Sequence, residues 1–317
     1  MPPGCPAFLL FAAALATPLA ARAQEKPRSA DGPEAPVFAT ETDVVNVTVT
    51  VRDPQGRLLS DLKKEDFVVL EDGRPQTVHV FSRAVEPEPS ETLALDLGLL
   101  LDTSESMLKQ LRLSQQAAVR FLQAIPRARD LITIFFDEDI RLSRYDSENQ
   151  QGLIERIETI KGGGWTALYD AIALYIARVQ DSNGRKVLVL LSDGEDSRSA
   201  IGLGDLLQMV RSSAVTIYPI GFMGGFSSGS TRMLQSRAFL QQMADTTGGQ
   251  LFTPATSKDL PAIYAKILDE LSAQYVIGFV SDNQRRDGKF RKLKVDVRRD
   301  RLKVRHRVGY YAPDASR

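Results

Sequence analysis

Between residues 92 and 272 the sequence alternates runs that suit buried strands with runs of helical spacing. No other feature constrains the fold as tightly. Leu95–Leu101, Leu131–Phe136, Val187–Leu191 and Val215–Ile220 are short and almost wholly apolar. Met107–Ala124, Gln151–Ile160, Ala167–Val179, Gly204–Ser212, Arg232–Ala244 and Leu260–Leu271 carry apolar residues at helical intervals. In the third of these, Leu168, Ile172 and Ile176 fall at i, i+4 and i+8, on one helix face. Strands that are apolar on both sides must be covered on both sides. The pattern predicts an α/β domain, a doubly wound and mostly parallel sheet with helices on each face.

The flanks have a different period. Val45, Val47, Val49 and Val51 alternate with polar residues, as a half-buried strand requires. Phe67–Leu70 and Thr77–Phe81 flank Glu71-Asp72-Gly73 and read as a hairpin with Asp-Gly at its tip. Beyond the α/β region, Tyr275–Val280 reads as a strand. Leu293, Val295 and Val297 alternate, and so do Leu302, Val304, His306, Val308 and Tyr310. The expected organisation is an N-terminal β unit (37–85), a Pro-bearing linker (86–91), the α/β domain (92–272), a C-terminal β unit (273–312) and a tail (313–317). The two β units are read as one small sandwich with the α/β domain inserted between them.

The first residues read as a targeting segment. Phe8–Ala16 is almost wholly apolar and too short to remain as a membrane span, and Ala21-Arg22-Ala23 fits a signal-peptidase site. Cleavage after Ala23 would give a secreted or periplasmic protein opening on a polar leader (24–36), with no transmembrane segment left. Cys5 is the only cysteine and precedes the apolar run, so no disulfide framework and no Cys-rich metal site is available. Forty basic and forty acidic residues leave the chain neutral, which argues against a general nucleic-acid binder.

Oxygen-bearing side chains cluster where the predicted parallel strands end. Asp102-Thr103-Ser104-Glu105-Ser106 leaves the first strand with ligand-capable oxygens at i, i+2 and i+4. Gly162-Gly163-Gly164-Trp165-Thr166 precedes a helix, and Ser192-Asp193-Gly194 ends a buried strand. Open α/β sheets place their sites at these carboxyl ends. Hydroxyls with few carboxylates suit a hard cation, Mg²⁺ or Mn²⁺.

Here the sequence resembles the von Willebrand factor A domain, and in particular the exported bacterial proteins of the VWFA-related family. Asp102-x-Ser104-x-Ser106, Thr166 and Asp193 match, in order, the five positions of that family's metal-ion-dependent adhesion site (MIDAS). The resemblance covers residues 92–272, and the β flanks also look like those of the bacterial family. It implies a non-enzymatic binding or adhesion protein with Mg²⁺ as cofactor, Mn²⁺ or Ca²⁺ being the alternatives. Ser104 and Ser106 would contact the metal directly. Thr166 would do so directly or through water, and Asp102 and Asp193 largely through water. The remaining coordination position would take a Glu or Asp carboxylate from a protein partner.

Other motifs in the chain fit other chemistries less well. An aspartyl-nucleophile phosphatase needs a second Asp two residues after the first, and position 104 is Ser. Gly225-Phe226-Ser227-Ser228-Gly229 matches a nucleophile elbow, with Asp245, Asp282 and His306 downstream. No helix follows that segment directly, which favours a plain Gly/Ser loop. His306 falls in phase with apolar neighbours and reads as packed, while His79 is out of phase and reads as solvent-facing. Residues 285–307 hold twelve Lys or Arg against three Asp. Lys292, Lys294, Arg305 and Arg307 would form a basic sheet face, either a solvated edge or a contact for an anionic envelope component. Trp165, the only tryptophan, reads equally as core or as a partner-facing anchor. Asn46-Val47-Thr48 fits a glycosylation sequon but lies within a predicted strand, so it carries no weight.

Overall fold

The four predicted parallel strands fold into one sheet whose central strand is buried along its whole length. In this computed structural model, residues 44–84, 94–125, 128–145, 150–180, 182, 184–223 and 229–314 are described. They lie within a single compact unit, Thr42–Arg317. The targeting segment, the leader and the 86–91 linker fall outside the described residues.

The α/β strands are β5 (Leu95–Asp102), β6 (Asp130–Phe136), β7 (Ile140–Tyr145), β8 (Arg185–Ser192) and β9 (Val215–Gly221). Their spatial order is β7-β6-β5-β8-β9. β5 runs parallel to β6 and β8, β8 runs parallel to β9, and β7 is antiparallel to β6. On one face Leu97, Leu99 and Leu101 pack with α1 (Leu108–Ala124), α2 (Gln150–Thr159) and α6 (Leu260–Ser272). On the other, Leu100 packs with α3 (Leu168–Val179), α4 (Leu203–Ser212) and α5 (Thr231–Thr247). Gly98 breaks the leucine run because a Cβ there would sit 2.2 Å from the Tyr175 ring. That tyrosine is fully buried, and its hydroxyl donates to the Val187 carbonyl across the sheet at 2.8 Å. β7 was not foreseen. It is an antiparallel edge strand carrying two arginines, so its apolar pattern is weak.

The flanking segments interleave into a sandwich. One layer has the order β12-β1-β10-β4 and the other β13-β11-β2-β3. These are β1 (Val44–Arg52), β2 (Phe67–Glu71), β3 (Arg74–Gln76), β4 (Val78–Arg83), β10 (Tyr275–Val280), β11 (Phe290–Val297), β12 (Lys303–Arg305) and β13 (Gly309–Tyr311). β1 lies between two C-terminal strands, and β2 pairs with β11. Val47, Val49, Phe67, Ile277, Phe279 and Val295 fill the space between the layers.

Two details correct the sequence reading. The Asp72-Gly73 hairpin closes on Arg74–Gln76, not on Thr77–Phe81. The latter segment has crossed to the opposite layer and pairs with β10, pointing Val78 into the core from the other side. The alternation from Leu302 to Tyr310 is likewise not one strand. It breaks after Arg305, and β12 and β13 belong to different layers. Val308, expected inside, is exposed.

Candidate metal centre

The strand order reverses at β5: the chain passes first to β6 and β7, then returns to place β8 on the other side. The crevice beyond the carboxyl ends of β5 and β8 is the switch point where open α/β sheets bind ligands. Asp102 ends β5, Ser192 ends β8, and Asp193 follows Ser192 directly.

Asp102 is 1% exposed. Its Oδ1 accepts from the Ser104 amide at 3.0 Å and the Ser104 hydroxyl at 2.5 Å, and its Oδ2 accepts from the Ser192 hydroxyl at 2.6 Å. Ser104 Oγ is 3.2 Å from Ser106 Oγ. Ser104 is buried and Ser106 exposed, so this chain of oxygens runs from the interior to the surface. Burial pushes the Asp102 carboxyl up to about 7, the negative charge of Asp193 adds to the rise, and the hydroxyl donors work against it. None of its hydrogen-bond partners among the described residues is a cation.

Thr166 is brought to the same end by its glycines. Gly163 and Gly164 have φ of +150° and +80°, where a side chain would be strained. A Cβ on Gly162 would lie 2.1 Å from the Thr103 carbonyl. The close approach lets Gly163 N donate to Thr103 O at 2.8 Å and Glu105 N to Gly164 O at 3.2 Å. The 162–166 loop is thereby fastened to the loop after β5. Thr166 is buried at the start of α3, and Asp193 is buried after β8.

Residues 96–266 match the von Willebrand factor type A domain. The match spans more than half of the chain. The chain belongs to the von Willebrand factor type A (VWA) family. No curated protein sequence matches it. Among solved structures it is similar to an aerotolerance-related membrane protein of Bacteroides fragilis, with 18% identity, 56% of this chain and 98% of that one covered, and a TM-score of 0.45. It is similar to a von Willebrand factor type A protein of Catenulispora acidiphila, with 10% identity, coverage of 88% and 76%, and a TM-score of 0.48. It is also similar to proximal thread matrix protein 1 of the mussel byssus, solved with a zinc-occupied MIDAS motif, at 17% identity and a TM-score of 0.45. That likeness covers 59% of this chain and 47% of the mussel one, so this VWA protein spans about half the length of that relative.

All five predicted positions of the VWA chain thus stand at one end of the sheet. Their donor set, two carboxylates and three hydroxyls, fits a hard dication. Asp102 and Asp193 oppose each other's charge, and a cation between the loops would relieve that opposition. Among the described residues no group of three or more His, Cys, Asp or Glu is placed to hold a metal, so this set is short of carboxylates by composition.

The residues that hold the site were not read from sequence. Asp137, after β6, accepts from the Thr103 hydroxyl at 2.9 Å, and Arg141 of β7 donates to both Asp137 and Thr103. Burial opposes ionisation of Asp137, but Arg141 and the other donors outweigh it and hold its carboxyl below the usual range. The segment after Asp193 caps α3. Ser197 Oγ accepts from Thr166 N at 3.0 Å, Asp196 Oδ1 from Tyr169 N at 3.1 Å, and Ser199 Oγ from Asp170 N at 3.0 Å. Asp170 returns the contact by accepting from the Ala200 and Ile201 amides. The signal was present in Asp196-Ser197-Arg198-Ser199, a run of capping residues, but it caps a helix that precedes it by thirty residues.

Other candidates sort differently. Ser227 lies outside the described residues. His306 Nε2 accepts from the Val295 amide at 3.0 Å and Nδ1 lies 2.7 Å from the Arg307 carbonyl, so both ring nitrogens are committed to backbone. His79 is exposed. The expected basic face is reduced from within. Lys292 and Lys294 are exposed, but Arg305 is turned onto Glu270 and Arg307 donates to the Asn46 carbonyl. Arg291, another of its arginines, is buried against Glu71 and Ser281. Among the described residues no helix is long and apolar enough to cross a membrane.

Proposed function

We propose that this VWA protein is an exported, non-enzymatic binding protein that captures an acidic residue of a protein partner through a divalent cation, Mg²⁺ in the first instance. Asp102, Ser104, Ser106, Thr166 and Asp193 would hold the ion. When bound, the cation supplies a positive charge, incompletely neutralised by two carboxylates, that an incoming Glu or Asp can satisfy. The chain's own residues do the rest. Ser192 and Ser104 orient Asp102, the glycine loop and its caps fix Thr166, and Ser106 stands where the site meets solvent. The N-terminal 23 residues would direct export.

The observation that carries this reading is Asp102. A carboxylate almost wholly removed from water, bonded by hydroxyls and an amide and repelled by the charge of Asp193, is costly without a counter-charge. The test is the thermal unfolding midpoint of residues 24–317, titrated with Mg²⁺ after chelator treatment, beside Asp102→Ala. The midpoint should rise saturably in the parent and stay flat in the variant. A flat parent curve would remove the cation from the mechanism.

A further inference from the structure

Beside the oxygen cluster in the chain stand both exposed apolar side chains and exposed acids. Trp165 is 64% exposed, the most exposed of the large apolar side chains described. It sits between Gly164 and Thr166, so the same backbone that fixes Thr166 fixes it. Leu108, at the start of α1, is 43% exposed. Its Cδ2 lies 3.2 Å from where a Gly162 Cβ would stand, so its side chain packs against the glycine loop. Two apolar groups therefore meet solvent beside Ser106 and Thr166. Exposed leucines are ordinary, but an exposed tryptophan held on a doubly pinned loop at a site rim is not.

The charges nearby are negative. Glu105 lies between Ser104 and Ser106 and is exposed. Glu138 is exposed, and its carboxyl carbon lies 3.0 Å from where a Cβ on Gly164, the residue before Trp165, would stand. Among the described residues neither glutamate has an ion-pair partner. Glu195 is a third acid at this end, and Arg232 neutralises it at 2.8 Å. A partner segment rich in acids would meet Glu105 and Glu138 as it approached, and like charges brought together at an interface disfavour the wrong partner.

We infer that the site selects a lone carboxylate next to a bulky apolar residue, the acid going to the oxygen cluster and the apolar side chain to Trp165 and Leu108, and that Glu105 and Glu138 reject acidic runs. This inference rests on the proposed cation-bridged capture and adds which segments are captured. Trp165 is a specificity residue in this account, and the surface it makes is continuous with the cluster.

The experiment uses residues 24–317 and four labelled hexapeptides of Gly flanks around a central pair: Glu-Phe, Glu-Gly, Glu-Glu and Gln-Phe. Binding is read by fluorescence anisotropy in Mg²⁺ and again in chelator. In Mg²⁺, Glu-Phe should bind about tenfold tighter than Glu-Gly, the size expected of one aromatic anchor. Glu-Glu should bind more weakly than Glu-Gly, and Gln-Phe not measurably. Trp165→Ala should bring Glu-Phe down to the level of Glu-Gly, and Glu138→Gln should narrow the gap between Glu-Glu and Glu-Gly. The Mg²⁺-dependent rise in unfolding midpoint, read on each variant, separates the two layers of the argument. A rise with no preference for Glu-Phe, with a preference that survives in Trp165→Ala, or with no peptide bound at all overturns the selection and leaves the cation site standing. Absence of the rise in the parent overturns the cation site, and the selection falls with it.

Discussion

Asp102 and Glu270 are both carboxylates removed from water, and they are held in opposite ways. Glu270, on α6, is fully buried where the sandwich meets the α/β domain. It accepts from the Tyr218 hydroxyl at 2.7 Å, from Arg52 Nη2 at 2.8 Å, from the Thr50 hydroxyl at 3.4 Å and from Arg305. Two of those donors are cations, drawn from the neighbouring strands β1 and β12, so the charge is answered within the chain and the answer clasps that layer of the sandwich to α6. Asp102 has as little access to solvent and receives hydroxyls and an amide. Its charge is oriented but not answered. A chain that can build the first arrangement and builds the second at the switch point leaves Asp102 available to something that arrives from outside.

The comparison can be broken first at Glu270. Glu270→Ala would strand two half-buried arginines, and removing one member of a buried ion pair typically costs about 3–5 kcal/mol. Urea unfolding followed by tyrosine and tryptophan signals should show that loss. Replacing Glu270, Arg52 and Arg305 together by Leu, Met and Leu should recover most of it, since an apolar cluster of similar volume tolerates burial. A cost below about 1 kcal/mol for Glu270→Ala would mean the clasp is not what joins the sandwich to the sheet.

At Asp102 the expected effect is conditional. Without metal, Asp102→Asn should change stability by no more than about 1 kcal/mol, because the charge it removes was costly and the bonds it weakens were modest. With Mg²⁺ at about a hundred times its dissociation constant, the parent should gain roughly 2.7 kcal/mol and the variant nothing. Differential scanning calorimetry with and without chelator reads both. If Asp102→Asn costs as much in chelator as Glu270→Ala does, the two carboxylates are both structural and the contrast disappears.

A smaller effect falls on the residues that hold the site from behind. Ser197→Ala removes the acceptor for the Thr166 amide, and loss of such a cap costs about 1 kcal/mol. The Mg²⁺ midpoint shift should shrink alongside, since Thr166 loses the contact that fixes it. A destabilised variant with an undiminished shift would show that the 194–201 segment stabilises α3 without tuning the cluster.

These supports mark the boundary of what the sequence made legible. Asp102, Ser104, Ser106, Thr166 and Asp193 could be read because each sits at a strand end or helix start with a short, ordered spacing. The central sheet could be read because strands such as Val187–Leu191 are apolar on both faces and admit one kind of environment. Ser197 could not be tied to Thr166, nor Arg141 to Thr103, because those contacts join segments about thirty to forty residues apart in directions no periodicity encodes. The sandwich was legible as two β flanks, but its pairing was not. β1 takes a neighbour from the far end of the chain on each side, and Thr77–Phe81 leaves its apparent hairpin partner for the opposite layer. Period two says which residues face inward and is silent on which layer receives them.

The smallest effect expected is at His306, where the same alternation misled. Period two carried the strand through His306 to Val308, whereas the chain there turns between layers and the ring serves the turn. Nε2 accepts from the Val295 amide, so the ring must be neutral with its proton on Nδ1, facing the Arg307 carbonyl. Burial holds its pKa below the usual 6.5, Arg307 pushes the same way, and the Arg307 carbonyl and Asp296 push back. The unfolded chain takes up a proton first as pH falls, so the stability His306 contributes is present above about 6.5 and is lost as pH falls through the lower folded value. Unfolding midpoints between pH 8 and 5 should therefore decline more steeply in the parent than in His306→Gln, whose amide does not titrate. The difference should leave the Mg²⁺ shift at pH 8 untouched, because His306 belongs to the sandwich and its seam. Identical pH profiles would mean that the Val295 bond survives protonation by rearranging, and that the turn between β12 and β13 is held by Arg305 and Arg307 instead.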